Sequence, residues 1–493
     1  MTISPMLTDN LQSIQQLLDS PSDLLTRTFK VGSTHHLCGI VCIKGLVDKN
    51  LLNDQLLKNL LLNLPPDNRQ MPKSPEDMVS LLLAEILTIA SVEKVSTMDE
   101  VMLAVLDGNT ALFVDGTDQV IIISSKGWES RAIEEPQSEA LIRGPRDGFT
   151  EDIRTNIARI RRRLRDPNLR LYAMRIGQRG KRDVVVAYIE GVTNPDIVKE
   201  VKRRLETVDM DDVEGSGFIE EWIADSFLSP FPQSLSTERP DRVSPSLLQG
   251  KVAILVDGDP FCLVTPITLV TSFQSPEDYS SNWIVSSLTR TLRLIAAFIA
   301  TFLPALYIAL VEYHHGMIPS KLAFSIAGTR EGVPFPAVIE ALIMEATLEI
   351  LREAGIRLPK PIGQTIGIVG GLVIGEAAVA AGIVSPIMVI IVSLTAITSF
   401  ALPTYTFAMT LRVIRFGVMM AAAFFGLYGV ILVYIMINIH IVNLKSFGIP
   451  YSTPFAPNFP RDWKDVILRA PITMLDQRPQ MMQTDDENRQ TNE

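Results

Sequence analysis

The sequence predicts an α+β cytosolic region of two related α/β domains, followed by a polytopic α-helical membrane domain. Three observations support this fold class. Of the 493 residues, 47% are hydrophobic and only 20% are charged, which is unusual for a soluble enzyme. The apolar excess begins near residue 290, where uncharged stretches reach the roughly 20 residues that cross a bilayer. The part before that point repeats itself, and a net charge of -10 disfavours a nucleic-acid binder.

The repeat defines the first two domains. The segment from Val31 aligns with the segment from Ile176, and each is typical of a strand, a glycine turn and the start of a helix. The segments from Leu106 and Leu248 align in the same way, and each carries Val-Asp-Gly, the signature of a β-hairpin turn. We therefore predict these boundaries: an N-terminal segment 1–24, repeat domains 25–135 and 169–280, a basic linker 136–168, a membrane domain 286–443 and a polar tail 444–493. We expect the end of this tail, residues 481–493, to be disordered. The N-terminus lacks the pattern of a cleaved signal peptide, so we expect the first 285 or so residues in the cytosol.

No motif for catalysis, cofactor binding or metal binding occurs in the soluble half. Its cysteines are Cys38, Cys42 and Cys262, an odd and sparse set that indicates neither a disulfide framework nor a zinc site. The spacing of Cys38 and Cys42 favours a strand. The sequence therefore predicts a protein that is not an enzyme and has no cofactor or resident metal.

The linker predicts a basic amphipathic helix with Thr150 as its N-cap. An apolar stripe runs along one face, and arginines crowd the others; the stripe is Ile153, Ile157, Ile160 and Leu164. Three interpretations of the arginines are open: a solvated face, a surface that docks on anionic lipid, or a contact with a neighbouring subunit. We prefer the contact with a neighbouring subunit, because the helix joins two domains. The candidate contact residues are Arg154, Arg161, Arg162 and Arg163.

Four stretches are apolar and long enough to span a membrane: 294–311, 362–384, 387–402 and 416–442. A fifth segment, 333–351, is apolar but carries three glutamates. It spans, re-enters or lies on the surface, and counting positive charges does not decide among these. We predict four spans plus a re-entrant or interfacial helix.

Two features of the membrane region suggest function. Glycines recur every four residues at Gly363, Gly367, Gly371 and Gly375, which predicts a close helix contact or, as the alternative, a hinge. Glu376 follows this stripe, where an unpaired charge is costly, and a ring of such carboxylates would attract cations. We hypothesise that Glu376 lines an ion pathway, with Glu340 and Glu345 at its entrance; a protonated structural glutamate is the alternative.

Long segments resemble the A subunits of the GerA-family nutrient germinant receptors of bacterial endospores. The resemblance rests on LIRGPRDGFTEDIRTNIARIRRRLRDPNL from Leu141, FLSPFPQSLSTERPDRVSPSLLQGKVAILVDGDPFCLV from Phe227, and REGVPFPAVIEALIMEATLEIL from Arg330. These segments do not distinguish a receptor subunit from the related stage V sporulation AF-type protein. The resemblance implies a multi-pass protein of the spore inner membrane that acts with a transporter-like B subunit and a lipoprotein C subunit.

The resemblance further implies a homo-oligomeric ring, a pentamer, that forms or gates a cation-release channel. Two other classes remain as alternatives. A secondary transporter usually has inverted repeats of its spans, whereas the repeat in this sequence lies in the soluble half. A scaffold for the partner subunits would carry no ions.

Overall fold

The computed structural model describes residues 2–489 except 20, 33, 35, 63–71, 73, 88–90, 128–135, 137–138, 140, 142, 359–370 and 372. Its chain forms two compact units. We call Met1–Ala224, Ser234–Pro266 and Asp476–Glu493 the soluble unit, and Asp225–Gln233 with Ile267–Leu475 the membrane unit.

The first half of the soluble unit is a five-stranded sheet flanked by helices. Its elements are α1 (Leu7–Leu17), β1 (Leu24–Lys30), β2 (Leu37–Ile43), a π-helix (Leu51–Leu57) continuing into α2 (Lys58–Leu62), α3 (Pro75–Leu81) continuing into a π-helix (Leu82–Ile86), β3 (Val92–Val95), α4 (Met98–Leu106), β4 (Thr110–Val114) and β5 (Val120–Ile123). The strand order is β1-β2-β4-β5-β3.

The second half repeats this plan after the linker helix α5 (Ile153–Arg163). Its elements are β6 (Leu169–Ile176), β7 (Arg182–Ile189), α6 (Pro195–Glu206), α7 (Ser216–Ile223), β8 (Leu235–Thr237), α8 (Pro240–Leu248), β9 (Val252–Val256) and β10 (Cys262–Thr265). The order β6-β7-β9-β10-β8 corresponds strand for strand to the first sheet. Neighbouring strands in both sheets pair antiparallel, so each repeat is α+β rather than a parallel α/β fold.

The aligned Asp-Gly turns occupy equivalent places in the two sheets. Gly116 connects β4 to β5 with a φ of 91°, and Gly258 connects β9 to β10 with a φ of 87°. A side chain strains the backbone at such angles, so glycine is favoured there. The hairpins that the Val-Asp-Gly pattern predicts are therefore present in both halves, each closed by a loop longer than a two-residue turn.

The first sheet is buried on both faces, because alternate residues of a strand point to opposite sides. On one face Cys38, Ile40 and Cys42 pack with residues of the π-helix and of α3. On the other face Val41 and Ile43 pack with residues of α1 and α4. This two-sided burial explains the nearly uninterrupted apolar run of β2.

The membrane unit is helical and ends in a small hairpin. It comprises α9 (Glu277–Ser280), α10 (Trp283–Glu312), α11 (Ser320–Arg330), α12 (Ala337–Arg357), α13 (Pro386–Phe400), α14 (Tyr405–Asn443), β11 (Lys445–Ser446) and β12 (Ile449–Pro450). Residues 373–380 are also helical. Small and apolar side chains of α10, α12, α13 and α14 share one core, whose fully buried members include Ala309, Ala341, Met388 and Ala422.

Within the described residues, two helical stretches are long and apolar enough to cross a membrane: α10, with 30 residues, and α14, with 39. The second is not continuous, because the backbone is non-helical at Gly426, whose φ is 57°, and Phe231 packs against both Phe407 and His440 on the two sides of this kink. The first contains the predicted span 294–311, whereas the predicted span 416–442 is divided at Gly426. The predicted span 387–402 corresponds to α13, whose 15 residues extend only about 22 Å, less than the roughly 30 Å of a bilayer core. Much of the predicted span 362–384 lies outside the described residues, so four spans remain a prediction, as does the re-entrant or interfacial role of α12.

The C-terminal residues are ordered where the structure describes them. Met482 is buried, and the Arg478 side chain donates from Nε to the Leu248 carbonyl at 2.8 Å. The expectation of disorder at 481–493 is therefore wrong for its described part, residues 481–489, because tertiary contacts anchor a segment whose local composition is polar.

Candidate functional site

The acidic helix α12 buries the first predicted pathway residue. Glu340 is fully buried, and its Oε2 accepts a hydrogen bond from the Ser385 N–H at 2.7 Å. Its Oε1 lies 3.1 Å from Nη2 of Arg330. Ser385 also caps α13 through a bond from the Met388 N–H to its Oγ. Glu340 therefore connects α12 to the ends of α11 and α13, and it does not face an open space within this protomer.

A second buried cluster joins α12 to α14. Glu345 lies 2.9 Å from Nη2 of Arg415, and both side chains are almost fully buried. Glu349 contacts Arg352 at 2.8 Å, Arg415 at 3.4 Å and Arg412 at 3.6 Å. Buried charges are tolerated when they are paired in this way. Glu345 thus anchors two helices to each other, which differs from the open entrance that the sequence suggests for it.

Glu376 has different surroundings. It lies on the helical residues 373–380 and is exposed, next to Val373 and Ile374, which are 54% and 36% exposed. The structure gives Glu376 no hydrogen bond or ion pair with any described residue. Of the three predicted pathway residues, Glu376 is thus the one whose carboxylate is available to solvent, to lipid or to another protein.

The glycine stripe is only partly described. Gly363 and Gly367 lie outside the described residues. A Cβ added at Gly371 would meet no atom within 4 Å, and one at Gly375 would lie 3.5 Å from the Val389 side chain, an ordinary contact. Among the residues that the structure describes, neither glycine is therefore a site of unusually close helix approach, and the close contact that the stripe predicts remains a prediction.

The N-cap of the linker helix lies two residues after the predicted one, Thr150. Asp152 is the N-cap, and its carboxylate accepts from the Thr155 N–H at 3.0 Å. Thr150 lies in the preceding segment, where its N–H donates to the Asn156 side chain. The predicted apolar stripe is buried, as its residues Ile153, Ile157, Ile160 and Leu164 show.

The four candidate arginines of the linker separate into two groups. Arg161 is fully buried, and it binds Asp23 through Nε to Oδ2 at 2.8 Å and Nη2 to Oδ1 at 3.2 Å. It is therefore unavailable to a lipid or a neighbouring subunit, which corrects its predicted role. Arg154 and Arg162 are exposed, and Arg163 is partly exposed, so an outside contact remains a prediction for these three.

Two cysteines lie in β2, as their spacing predicts. Burial, with a smaller contribution from Asp115, raises the pKa of Cys38 to about 12. Burial raises the pKa of Cys42 to about 11. Thiols of this kind are inert, because the thiolate is the reactive species. These residues therefore serve the core of the first sheet.

One cluster of charged residues escaped the sequence analysis. Asp278 is buried and accepts from Arg290 Nε at 2.8 Å and from Arg293 Nη1 at 2.8 Å. Arg290 also contacts Asp465 at 2.7 Å, and Arg469 Nη1 donates to the Asp278 carbonyl at 2.8 Å. The cluster joins the start of α10 to the segment after α14. The only local signal was the pair of arginines that precedes an apolar stretch, and this signal does not identify the partners.

Comparison with known proteins supplies the context for this geometry. A family model described as Bacillus/Clostridium GerA spore germination protein matches residues 12–481. Spore germination protein GerLA of Bacillus cereus is 50% identical over 476 residues, which cover 97% of this chain and 95% of that protein. Spore germination protein KA of Bacillus subtilis (strain 168) is 42% identical over 489 residues, which cover 99% and 89%.

The structure of a similar chain has been solved by crystallography. It is the N-terminal domain of the A subunit of the Bacillus megaterium spore germinant receptor GerK3, with 33% identity and a TM-score of 0.44. The similarity covers 54% of this chain and 96% of that one. The match to the family model, by contrast, includes both the soluble unit and the membrane unit.

Proposed function

This chain belongs to the Bacillus/Clostridium GerA family of spore germination proteins, and on that premise we propose how it acts. It is the A subunit of a spore nutrient germinant receptor, and it oligomerises to form or gate a cation-release pathway in the spore inner membrane. The family supports the receptor role. The exposed carboxylate of Glu376 supports the cation pathway.

Glu376 is informative because no described residue of its own protomer forms a hydrogen bond or an ion pair with its carboxylate. A charged side chain at mid-membrane costs roughly 3 kcal/mol on insertion scales. Its neighbours Val373 and Ile374 expose apolar surface, as expected of a helix face that meets lipid or another membrane helix. Assembly of several copies around a water-filled axis would hydrate Glu376 and form a ring of carboxylates, which attracts cations and repels anions.

Glu340 and Glu345 contribute to this pathway as anchors. Their ion pairs with Arg330 and Arg415 hold α12 against α11 and α14, so the helices near the pathway keep their positions. In the proposed receptor, the transporter-like B subunit and the lipoprotein C subunit are the partners, and the soluble unit lies on the cytosolic side.

Potassium efflux from liposomes that contain the purified full-length chain tests the proposal. We expect efflux that Glu376→Gln slows or makes less selective for cations over anions. Glu331→Gln is the matched control, because Glu331 is an exposed carboxylate of the same unit outside the apolar helix face, and it should leave efflux unchanged.

Equal efflux and selectivity in the wild type and in Glu376→Gln would refute the assignment of Glu376. Should the purified chain carry no potassium, the assay is repeated with the B and C subunits and a germinant. A complete lack of flux in that reconstituted receptor would refute the channel and favour a scaffold. Flux that saturates with a co-transported substrate would favour a transporter.

A further inference from the structure

A loop of the membrane unit exposes two large apolar side chains at its tip. Phe227 is 84% exposed and its neighbour Leu228 is 81% exposed. Both belong to the segment Asp225–Gln233 of that unit, which we call the 225–233 loop. Adjacent apolar side chains that are this exposed indicate an interaction surface when the loop that carries them is held in place.

The 225–233 loop is held in place at both of its ends. The Asp225 carboxylate accepts a hydrogen bond from the Phe447 N–H at 2.7 Å. The Gln233 carbonyl accepts one from Oγ of Ser446, also at 2.7 Å. Both donors lie directly after the end of α14. The loop is therefore fixed to the segment in which the chain leaves this helix.

The middle of the loop contacts α14 itself. Oγ of Ser229 lies 2.8 Å from Nε2 of His440, and the Pro230 carbonyl accepts a hydrogen bond from the Thr410 hydroxyl. In a straight helix Thr410 and His440 would lie about 45 Å apart. Because both contact neighbouring residues of one loop, the kinked helix reverses its direction and brings its two ends to the same side. The loop lies at that side.

The same contacts place the loop at the boundary of the apolar part of α14. The last turn of the helix exposes Ile439 and Val442, which are 56% and 51% exposed, as expected of residues that face lipid. Lys445, just after the helix, is exposed and charged, and lysine and aromatic residues are typical of the interface between lipid and water. Since the loop is attached to the chain both before and after this boundary, its tip lies at the level of the interface.

We propose that Phe227 and Leu228 insert into the interfacial region of the lipid bilayer that α14 crosses. Insertion removes two apolar side chains from water. Nothing between Asp225 and Gln233 opposes it, because no residue between these two carries a charge. The loop thereby fixes the depth of the end of α14 in the bilayer. The inference depends on the membrane placement of α14 and not on the ion pathway.

A fluorescent label at Leu228→Cys tests the insertion. The native cysteines Cys38, Cys42 and Cys262 are buried, so a nitrobenzoxadiazole reagent labels the new, exposed thiol selectively. The full-length chain is reconstituted in vesicles of phosphatidylcholine and phosphatidylglycerol that carry a nitroxide either near the headgroup or near the end of the acyl chain. We expect the shallow nitroxide to quench the label at least about twofold more than the deep one, because interfacial side chains lie roughly 5 to 10 Å into the headgroup and acyl boundary.

Two labelled variants serve as controls. Phe218→Cys replaces an exposed aromatic residue of the soluble unit, and its label should be quenched by aqueous iodide and by neither nitroxide. Ile439→Cys reports the placement of α14 itself. Quenching by nitroxide lipid at Ile439→Cys but not at Leu228→Cys would refute the insertion while leaving the membrane placement of α14 intact.

Other outcomes at Leu228→Cys also decide the question. Quenching by iodide alone would overturn the proposal, because the tip would then lie in water. Protection from iodide and from both nitroxides would overturn it as well, since a protein surface, such as a second copy of the chain, would then cover the tip. If circular dichroism shows that Leu228→Cys does not fold, Phe227→Cys replaces it, with the same expected pattern of quenching.

Discussion

Replacing Arg161 by methionine would remove one half of a buried ion pair while keeping a long apolar side chain. Arg161 is fully buried in α5, and its partner Asp23, just before β1, is 6% exposed. Two hydrogen bonds, at 2.8 and 3.2 Å, connect the guanidinium to the carboxylate. The pair fastens the linker helix to the first sheet, and both residues belong to the soluble unit.

The expected cost follows from what the substitution leaves behind. Asp23 would remain buried without a counter-charge, and breaking a buried pair in this way costs about 3 to 5 kcal/mol. Replacing both partners, as in Arg161→Met/Asp23→Leu, removes the stranded charge and should recover most of the loss. Arg154→Gln changes an exposed arginine of the same helix and should alter the free energy of unfolding by no more than about 0.5 kcal/mol.

Urea titration of the full-length chain in detergent, followed by circular dichroism, would measure these differences. Hydrogen exchange of peptides from Leu24–Lys30 would show whether the loss is located at β1. A free energy of unfolding for Arg161→Met within 1 kcal/mol of the wild type would refute the reasoning. So would a double variant that is as unstable as the single one.

Two further predictions concern the soluble unit. Gly116→Ala should lower the free energy of unfolding by at least about 1 kcal/mol. The φ of 91° at this position is strained for alanine, and the new Cβ would lie 2.7 Å from the Pro75 side chain. Gly217→Ala, on an open face of α7, is the control and should be neutral or slightly stabilising in the same urea titration. Burial, with a contribution from Arg242, lowers the pKa of Lys251 to about 8 from 10.5, so the folded state favours the neutral amine and loses stability as the pH falls from 10.5 to 8. Relative to Lys251→Met, the wild type should therefore be less stable at pH 7 than at pH 10 by roughly 2 to 3 kcal/mol, and an equal difference at the two pH values would contradict this.

The repeat and the linker stripe were predictable because their signals are local. Strand alternation and the Asp-Gly turns indicate the two hairpins wherever the rest of the chain lies. The apolar stripe of α5 likewise follows from a period of 3.6 residues. The antiparallel pairing of all strands was not predictable in the same way, because strand order depends on contacts between distant segments.

Arg161 shows that a local sequence pattern does not predict the burial and the partner of a charged residue. It lies four residues after Ile157, on the buried side of the helix, yet its charge favours assignment to a solvent-exposed face. Its partner Asp23 is 138 residues away, and no periodicity identifies such a pair. Glu340 presents the same difficulty, since the N–H that satisfies it belongs to Ser385, 45 residues further on.

The sequence by itself determined the internal repeat, the location of the apolar helices α10 and α14, and the family. These depend on composition, short periodicities and residue identity, which are properties of neighbouring residues. Only the tertiary structure decided which charges are paired and which carboxylate is exposed. Burial and ion pairing are properties of the folded chain. In the low-dielectric interior, the free energy of a charged side chain depends on which group lies next to it, and that group is often distant in sequence.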